Sequence, residues 1–457
     1  MQVAIKDKQV LVLGLGDTGL SALRWLRGQG AILSAADTRE APPGLQAVKN
    51  EMPEIDIHLG PLASGIMDGQ ALVVVSPGVP LAEPEIQRAV ARGIPVLGDV
   101  ELFAQHKPGS ARVIAITGAN GKSTVTSLVG EMCKAAGLKT VVAGNIGLPV
   151  LDTLQGDPPE IYVLELSSFQ LEATHTLAAD AATVLNLSED HMDRYQGMAD
   201  YAAAKARIFY GDGVQVLNRQ DAWSAGMAEP GRKVVTFGSD QAPAAGDFGL
   251  IREAGQVWLA QGEHRLLEMS ELKIAGLHNA VNALAALALC RAAGIEYAPL
   301  LETLRSFKGL PHRVEWVAEI GDVSFYDDSK GTNVGATCAA LAGLPQKVVL
   351  IAGGDGKGQD FTPLSAPVKE NARAVVLIGR DAALIEKALA ATDVPLLKAD
   401  SLQDAVTRAF HLALPGDAVL LSPACASFDM FRNYLHRAEV FCESVHALAA
   451  APEEMAR

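Results

Sequence analysis

The residues best suited to chemistry form one run, Ile116-Thr117-Gly118-Ala119-Asn120-Gly121-Lys122-Ser123-Thr124. The apolar stretch RVIAI leads into it, and STVTSLVGEMCKAAG follows with a helical pattern ending at Gly137. A glycine-rich turn between strand and helix makes an anion cradle, because backbone N–H groups in the turn and at the helix start point at phosphate oxygens. Gly118 and Gly121 permit the tight path and the close approach. Lys122 can reach β- and γ-phosphates, and Ser123 offers a hydroxyl to Mg²⁺. The general form is G-x-x-x-x-G-K-[ST]. Here only Ala119 and Asn120 separate the glycines, so the match is partial, and the competing reading is a plain turn with a surface lysine.

Other polar clusters also follow apolar runs. Gly14-Leu15-Gly16-Asp17-Thr18-Gly19 comes after VLVL, and Asp37 closes the next run, ILSAAD, at the spacing of a dinucleotide site. The physical content is a helix N-terminus for a pyrophosphate, which NAD or a nucleotide-sugar diphosphate would satisfy. Ser76-Pro77-Gly78 ends ALVVV in the same region and either lines that crevice or is a bare turn. Glu165, in YVLELSSFQLE, falls near a strand's C-terminal end, where ligands of parallel sheets gather; its carboxylate suits Mg²⁺ beside Ser123. In NLSEDHMDR (186–194), His191 can serve a metal or a phosphate. Lys205, in ADYAAAKARIFY, reads as an ordinary solvated helical lysine. Asn279 and Asn282 share one helix face, either to meet a base edge or to cap the helix. Three C-terminal turns, DDSKGTN (327–333), GGDGK (353–357) and SPACASFD (422–429), supply Lys330, Thr332, Lys357 and Ser427 for an anionic substrate. Arg313 stands where it could reach a phosphate across a domain boundary.

The elements that must hold these groups alternate along the chain. Aliphatic runs at 10–14, 71–75, 112–116, 162–166, 183–187, 347–351, 374–378 and 418–422 lack polar alternation, as strands buried on both faces do. Helical patterns lie between them, which specifies α/β architecture. Polar Pro/Gly seams at 105–111 and 307–313 divide the chain into expected domains of residues 1–107, 108–309 and 310–457. Short strand patterns at 212–275 read as a β insertion or peripheral sheet.

The 457 residues carry a net charge of −15, which argues against a basic nucleic-acid-binding surface. No apolar run is long enough for a membrane span. The first residues carry no cleavable apolar signal, and the five cysteines match no zinc spacing, so a cytoplasmic protein with reduced thiols is expected.

TGANGKST, GNIGLP (144–149), ELSSFQLE, NLSEDHMDRY, GLHNAVNALAA, GLPHRVE, DDSKGTNVGA, GGDGKG and SPACASFD together resemble the Mur ligase family of ATP-dependent peptide-bond-forming enzymes, over nearly the whole chain. The two-residue spacing of the phosphate loop is that family's own form. GLGDTGLS, DTR at 37–39, DHMDRY and SPACASFD are most similar to its glutamate-adding branch. The resemblance implies a Rossmann-like N-terminal domain for a UDP-sugar. It further implies a P-loop central domain with a small extra β-sheet, and a Rossmann-like C-terminal domain for the amino acid. It places Gly16, Asp17, Thr18, Thr38, Arg39, Ser76, Pro77, Gly78, Asn145 and Ser167 near the UDP substrate. ATP falls to residues 118–124, Asn279, Asn282, Arg313 and Asp328. Mg²⁺, two ions by this likeness, falls to Ser123, Glu165 and His191, with Lys205 matching a lysine whose carbamate stabilises the second. Lys330, Thr332, Lys357, Ser427 and Tyr434 match the D-glutamate pocket, Tyr434 replacing the branch's usual Phe.

The implied substrates are UDP-N-acetylmuramoyl-L-alanine, D-glutamate and ATP, acted on by a monomer with Lys122, Glu165, His191 and Lys205 at the reaction centre. The competing readings are a sibling or folylpolyglutamate-type ligase, a nucleotide switch without catalysis, and an NAD-dependent oxidoreductase resting on the N-terminal loop alone.

Overall fold

The computed structural model describes residues 3–274 and 276–450. Seven of the eight aliphatic runs form strands, the run at 183–187 contributes only its first two residues to Ala181–Val184, and the strands fall in three sheets. The first sheet has five parallel strands in the order Asp56–Leu59, Ile32–Asp37, Gln9–Leu13, Leu72–Val75, Val96–Leu97. The chain order reverses beside Gln9–Leu13, and such a switch point opens a crevice at the carboxyl ends of the strands. Helix Asp17–Gly28 starts there, after a strand whose residues Val10 to Leu13 are all buried, Leu11 and Leu13 among the apolar residues that include Ile86 and Ala89.

The second sheet has nine strands. Its parallel part runs Thr140–Gly144, Ile161–Glu165, Arg112–Thr117, Ala181–Val184, Val214–Asn218, Val234–Phe237. The segment expected as an added β region continues this sheet. Val214–Asn218 and Val234–Phe237 pair parallel to the core, and Phe248–Glu253 then turns back antiparallel on Gln256–Gln261. The edge strand Gln256–Gln261 is only partly buried, whereas Ala181–Val184 is buried throughout and Arg112–Thr117 from its second residue on.

The third sheet has six strands in the order Glu315–Ile320, Val323–Asp327, Ala418–Leu421, Val348–Gly353, Ala372–Ile378, Leu396–Lys398. Only the first pair is antiparallel. One apolar layer centres on Leu350, Leu377 and Leu420, and the opposite layer on Val349, Val376 and Phe441, as expected for a sheet covered on both faces.

The chain divides into two compact units. One comprises Met1–Leu187, Ala199–Leu267 and Ala283–Thr303; the other comprises Ser188–Met198, Glu268–Asn282 and Leu304–Arg457. Within the first unit, the Glu101 carboxylate joins the helix Asp99–His106 to the loop after Glu172. It accepts from the backbone N–H groups of His175 (2.7 Å) and Thr176 (2.8 Å) and from the Thr176 hydroxyl (2.6 Å). These bonds outweigh the burial of Glu101 and hold its pKa below the ordinary value. Among the described residues, no helix is long and apolar enough to cross a membrane.

Candidate active site

The phosphate loop lies where the sequence predicts, between the buried strand Arg112–Thr117 and helix Lys122–Ala135. Gly118 has φ 153°, and a Cβ there would come within 3.1 Å of the Leu185 side chain. Gly121 takes the left-handed conformation at the helix start, with no side-chain cap. Ser123 is buried at the first turn. Lys122 folds over the loop, its Nζ donating to the carbonyls of Gly118 (2.9 Å) and Ala119 (2.8 Å).

Lys205 corrects the expectation of a solvated side chain. It is 1% exposed, its Nζ donates to Gly118 O (2.9 Å) and Thr117 Oγ1 (3.2 Å), and it stands 4.8 Å from the centroid of the Tyr201 ring. The helix Met198–Ala206 packs through Tyr201, Ala202 and Ala204, and Lys205 is drawn inward with them. Two ammonium groups thus meet at one carbonyl oxygen of the loop, a concentration of positive charge suited to a polyphosphate.

Glu165 ends the neighbouring strand and is 1% exposed. Its Oε1 accepts from Asn145 Nδ2 (2.7 Å), while among the described residues no hydrogen-bond donor reaches its buried Oε2. A buried carboxylate oxygen without a donor is the arrangement a cation completes. Ser123, buried in the first turn after the loop, carries a hydroxyl of the hard-oxygen kind Mg²⁺ takes, so the residue types present fit Mg²⁺. Gly144 is confined to glycine here, because a Cβ would lie 2.2 Å from Glu165 O.

A cleft of about 600 Å³ opens at the switch point of the first sheet. Gly16, Asp17, Thr18, Thr38, Arg39, Ser76, Pro77, Gly78 and Asn145 all line it, and so does Gln170. Asp37 shapes its floor: its carboxylate accepts from Leu15 N (2.6 Å), Arg39 N (2.9 Å), Arg39 Nε (2.8 Å) and Arg39 Nη2 (2.7 Å). Burial alone would raise the Asp37 pKa, but the guanidinium and the two backbone N–H groups bring it below the ordinary value. Ser76 lines the cleft as more than a bare turn, its hydroxyl donating to Gly14 O (3.0 Å).

Ser167, expected near the UDP substrate, caps the helix Ser168–Glu172 through a reciprocal bond pair with Gln170. Gln170 escaped the sequence reading, although Ser-x-x-Gln ahead of a helix is a legible capping signature.

The second unit gathers the C-terminal turns. Lys330 Nζ stands 3.9 Å from the centroid of the Tyr434 ring, a cation–π contact, so the aromatic character of residue 434 is used. Lys357, at φ 50°, places Nζ 3.3 Å from Asp190 Oδ1, and Asn333 Nδ2 lies 3.5 Å from Asp190 Oδ2. Asp190 therefore joins the cluster, a role the sequence reading left unassigned within NLSEDHMDR. His191, at φ 59°, donates its backbone N–H to the same carboxylate (3.0 Å). Thr332 and the buried Ser427 occupy two of these turns. The turns are tied together by Arg437, 1% exposed, which donates to Ser329 O (2.8 Å) and Cys425 O (3.1 Å).

Asp328 is buried beside the Ser422 hydroxyl (2.6 Å). Burial pushes its pKa up to about 7 against the opposing pull of Ser422 and Arg313. Asn282 Nδ2 donates to Asn279 Oδ1 (3.4 Å), so the two amides do share one face of the helix Leu277–Ala292.

A phosphate loop on a mostly parallel sheet, with a buried carboxylate at the adjoining strand end, defines a mononucleotide-using α/β enzyme. Residues 8–98 match the Mur ligase MurD-like N-terminal domain, residues 116–290 the Mur ligase middle domain, and residues 312–425 the Mur ligase glutamate ligase domain. The chain belongs to the Mur ligase family, and with it to the ATP-dependent acid–amino-acid ligases.

The chain is 66% identical over 441 residues to the UDP-N-acetylmuramoylalanine–D-glutamate ligase of Methylobacillus flagellatus, spanning 96% of this chain and 97% of that one. It is 55% identical to the ligase of the same name from Nitrosospira multiformis, across 98% and 97% of the two chains. Among solved structures it shares its fold with UDP-N-acetylmuramate-alanine ligase MurC of Thermotoga maritima. That match has a TM-score of 0.59 at 20% identity, covering 96% of this chain and 99% of that one. It also shares the fold of MurF from Acinetobacter baumannii, with a TM-score of 0.60 at 16% identity, covering 96% and 91%.

Proposed function

We propose that this protein adds D-glutamate to UDP-N-acetylmuramoyl-L-alanine at the expense of ATP, a cytoplasmic step in building peptidoglycan precursors. The observation that carries the reading is Asn145. It lines the nucleotide-sugar cleft and at the same time donates to Glu165, next to the phosphate loop. A substrate whose UDP occupies the cleft can therefore extend its alanine carboxylate toward the triphosphate.

Residues 118–124 hold ATP, with Asn279 and Asn282 on its adenine side and Arg313 and Asp328 near it. Lys122 faces the charge that spreads over the transferring phosphoryl group. Ser123 and Glu165, with His191, would hold Mg²⁺, two ions if Lys205 carries a carbamate; bound there, the metal neutralises phosphate charge. The alanine carboxylate attacks the γ-phosphorus, ADP leaves, and an acyl phosphate forms. Lys330, Thr332, Lys357, Ser427 and Tyr434 present D-glutamate. Its amine attacks the acyl carbon, inorganic phosphate departs with its electron pair, and the ammonium loses a proton to give the amide. Exclusion of water protects the acyl phosphate meanwhile.

We assign the three roles to residues 1–107, 108–309 and 310–457, and the working form to a monomer. The test is mass-spectrometric detection of the product from UDP-N-acetylmuramoyl-L-alanine, ATP and D-glutamate. ¹⁸O placed in the alanine carboxylate should emerge in phosphate. Product without ¹⁸O transfer refutes the acyl phosphate, and no product with D-glutamate alongside product with another amino acid refutes the substrate assignment.

A further inference from the structure

We infer that Asn186 is a positioning residue for ATP, its carboxamide standing in for a peptide group to fix the shape of the phosphate loop. The inference rests on that loop being the ATP site, as proposed above.

Strands Arg112–Thr117 and Ala181–Val184 run parallel, with Thr117 paired to Val184. Strand pairing ordinarily ends where one partner turns into a loop, leaving the loop's peptides to choose their own orientation. Here the ladder continues. Leu185 N donates to Thr117 O (2.9 Å), and Ala119 N donates to Asn186 O (2.8 Å). The side chain then supplies the next rung. Asn120 N–H donates to Asn186 Oδ1 (2.9 Å), and Asn186 Nδ2 donates to Asn120 O (3.0 Å). A backbone N–H can only donate and a carbonyl can only accept, so this pairing also fixes which side-chain atom is oxygen and which is nitrogen. Among the side chains only Asn and Gln carry amide donor and acceptor together, and Gln is longer by one methylene.

The post that bears this carboxamide is itself held on both sides. Leu185 O accepts from Asn218 Nδ2 (2.9 Å), and Leu187 N donates to Asp221 Oδ2 (2.9 Å).

The consequence for the loop is directional. With the N–H groups of Ala119 and Asn120 turned toward residue 186, anion binding passes to the amides from Gly121 onward. The same peptide orientations set where the Gly118 and Ala119 carbonyls point, and those carbonyls receive Lys122 and Lys205. Asn186 touches neither lysine in the contacts described, so it acts through the loop.

The full-length enzyme is compared with Asn186→Asp and Asn186→Ala. The Asp variant has the same shape and keeps the acceptor, but sets an oxygen against Asn120 O, so it separates the bond from the packing. Two quantities are measured: KM for each substrate from ADP release, and the dissociation constant of a fluorescent ADP analogue in the absence of the other substrates. Loss of one or two buried hydrogen bonds should raise KM for ATP and weaken the analogue about tenfold. KM for the UDP-sugar and for D-glutamate should stay within about twofold. An Asp variant that binds ATP and the analogue as tightly as wild type overturns the inference, and so does a rise of all three KM values together. Wild-type turnover that ignores D-glutamate would refute the proposed reaction instead, and the analogue titration would still decide the role of Asn186.

Discussion

Arg437→Lys isolates the fork of the guanidinium from its charge. Arg437 is buried at the base of the turns proposed to hold D-glutamate and donates through Nη2 to Ser329 O and through Nη1 to Cys425 O. Burial pulls its pKa down to about 10, so it remains a cation at neutral pH. Those two carbonyls belong to the turns that carry Lys330, Thr332 and Ser427, and Tyr434 begins the helix that carries Arg437 itself. Lysine keeps the charge but is a point donor on a different stem, and it cannot satisfy both carbonyls in the fork geometry. One hydrogen bond to a charged group is therefore lost, worth about 1.5–3 kcal/mol. Expressed in substrate binding, that is about a ten- to hundredfold rise in KM for D-glutamate. Arg437→Leu loses both bonds but also removes a buried cation, so its cost in stability falls short of two bonds added together. Steady-state ADP release at saturating ATP and UDP-substrate reads KM for D-glutamate, and urea unfolding reads stability. A Lys variant with unchanged KM for D-glutamate refutes the reasoning, as does an equal rise in KM for all three substrates.

Three further outcomes follow from the geometry. Lys122→Ala should abolish ATP turnover while leaving circular dichroism and the urea midpoint near wild type, and undiminished turnover would contradict the phosphate-loop assignment. Asp99 is buried, and burial lifts its pKa from 3.8 to about 6, so the stability it contributes is complete below about pH 4 and lost as pH rises through about 6. Asp99→Asn should gain on wild type between pH 4 and pH 8 by up to about 3 kcal/mol in urea unfolding, and a pH-independent difference would sink this. Tyr434→Phe should keep KM for D-glutamate within about threefold of wild type while Tyr434→Leu raises it further, since the ring face under Lys330 is what acts; equal effects would refute the cation–π role.

Much of this molecule is legible in its residues because parallel strands buried on both faces cannot alternate. RVIAI, KVVLI and AVVLI announce themselves, and each polar turn after them marks a crevice. The phosphate loop and the cleft turns of Gly16 and Ser76 follow from that rule, whereas Asn145 is legible only through the likeness of GNIGLP to the family. Lys205 does not, because an alanine-rich helix has no apolar stripe to reveal which face is covered, and the neighbours that bury it are distant in sequence. Arg437 is hidden for a similar reason: nothing in YLHRAEVF marks it as buried, and only the return of two distant turns encloses it. Asp190 sat inside a cluster already marked as polar, yet its partner Lys357 comes from a different turn, a pairing no spacing encodes.

If the proposed sites are right, the short bond between Asn145 and Glu165 would make two binding events thermodynamic partners. Asn145 lines the cleft proposed for the sugar nucleotide, and Glu165 pairs with Ile116 just before the loop proposed for the triphosphate. A ligand that draws the amide toward the cleft alters the carboxylate's readiness for a cation, and a cation on the carboxylate alters the amide in return. Linkage is reciprocal, so whatever factor one ligand imposes on the other's affinity is imposed back in equal measure. On the proposed reading, an inhibitor built to engage Asn145 would consequently be sensed at the nucleotide it never touches.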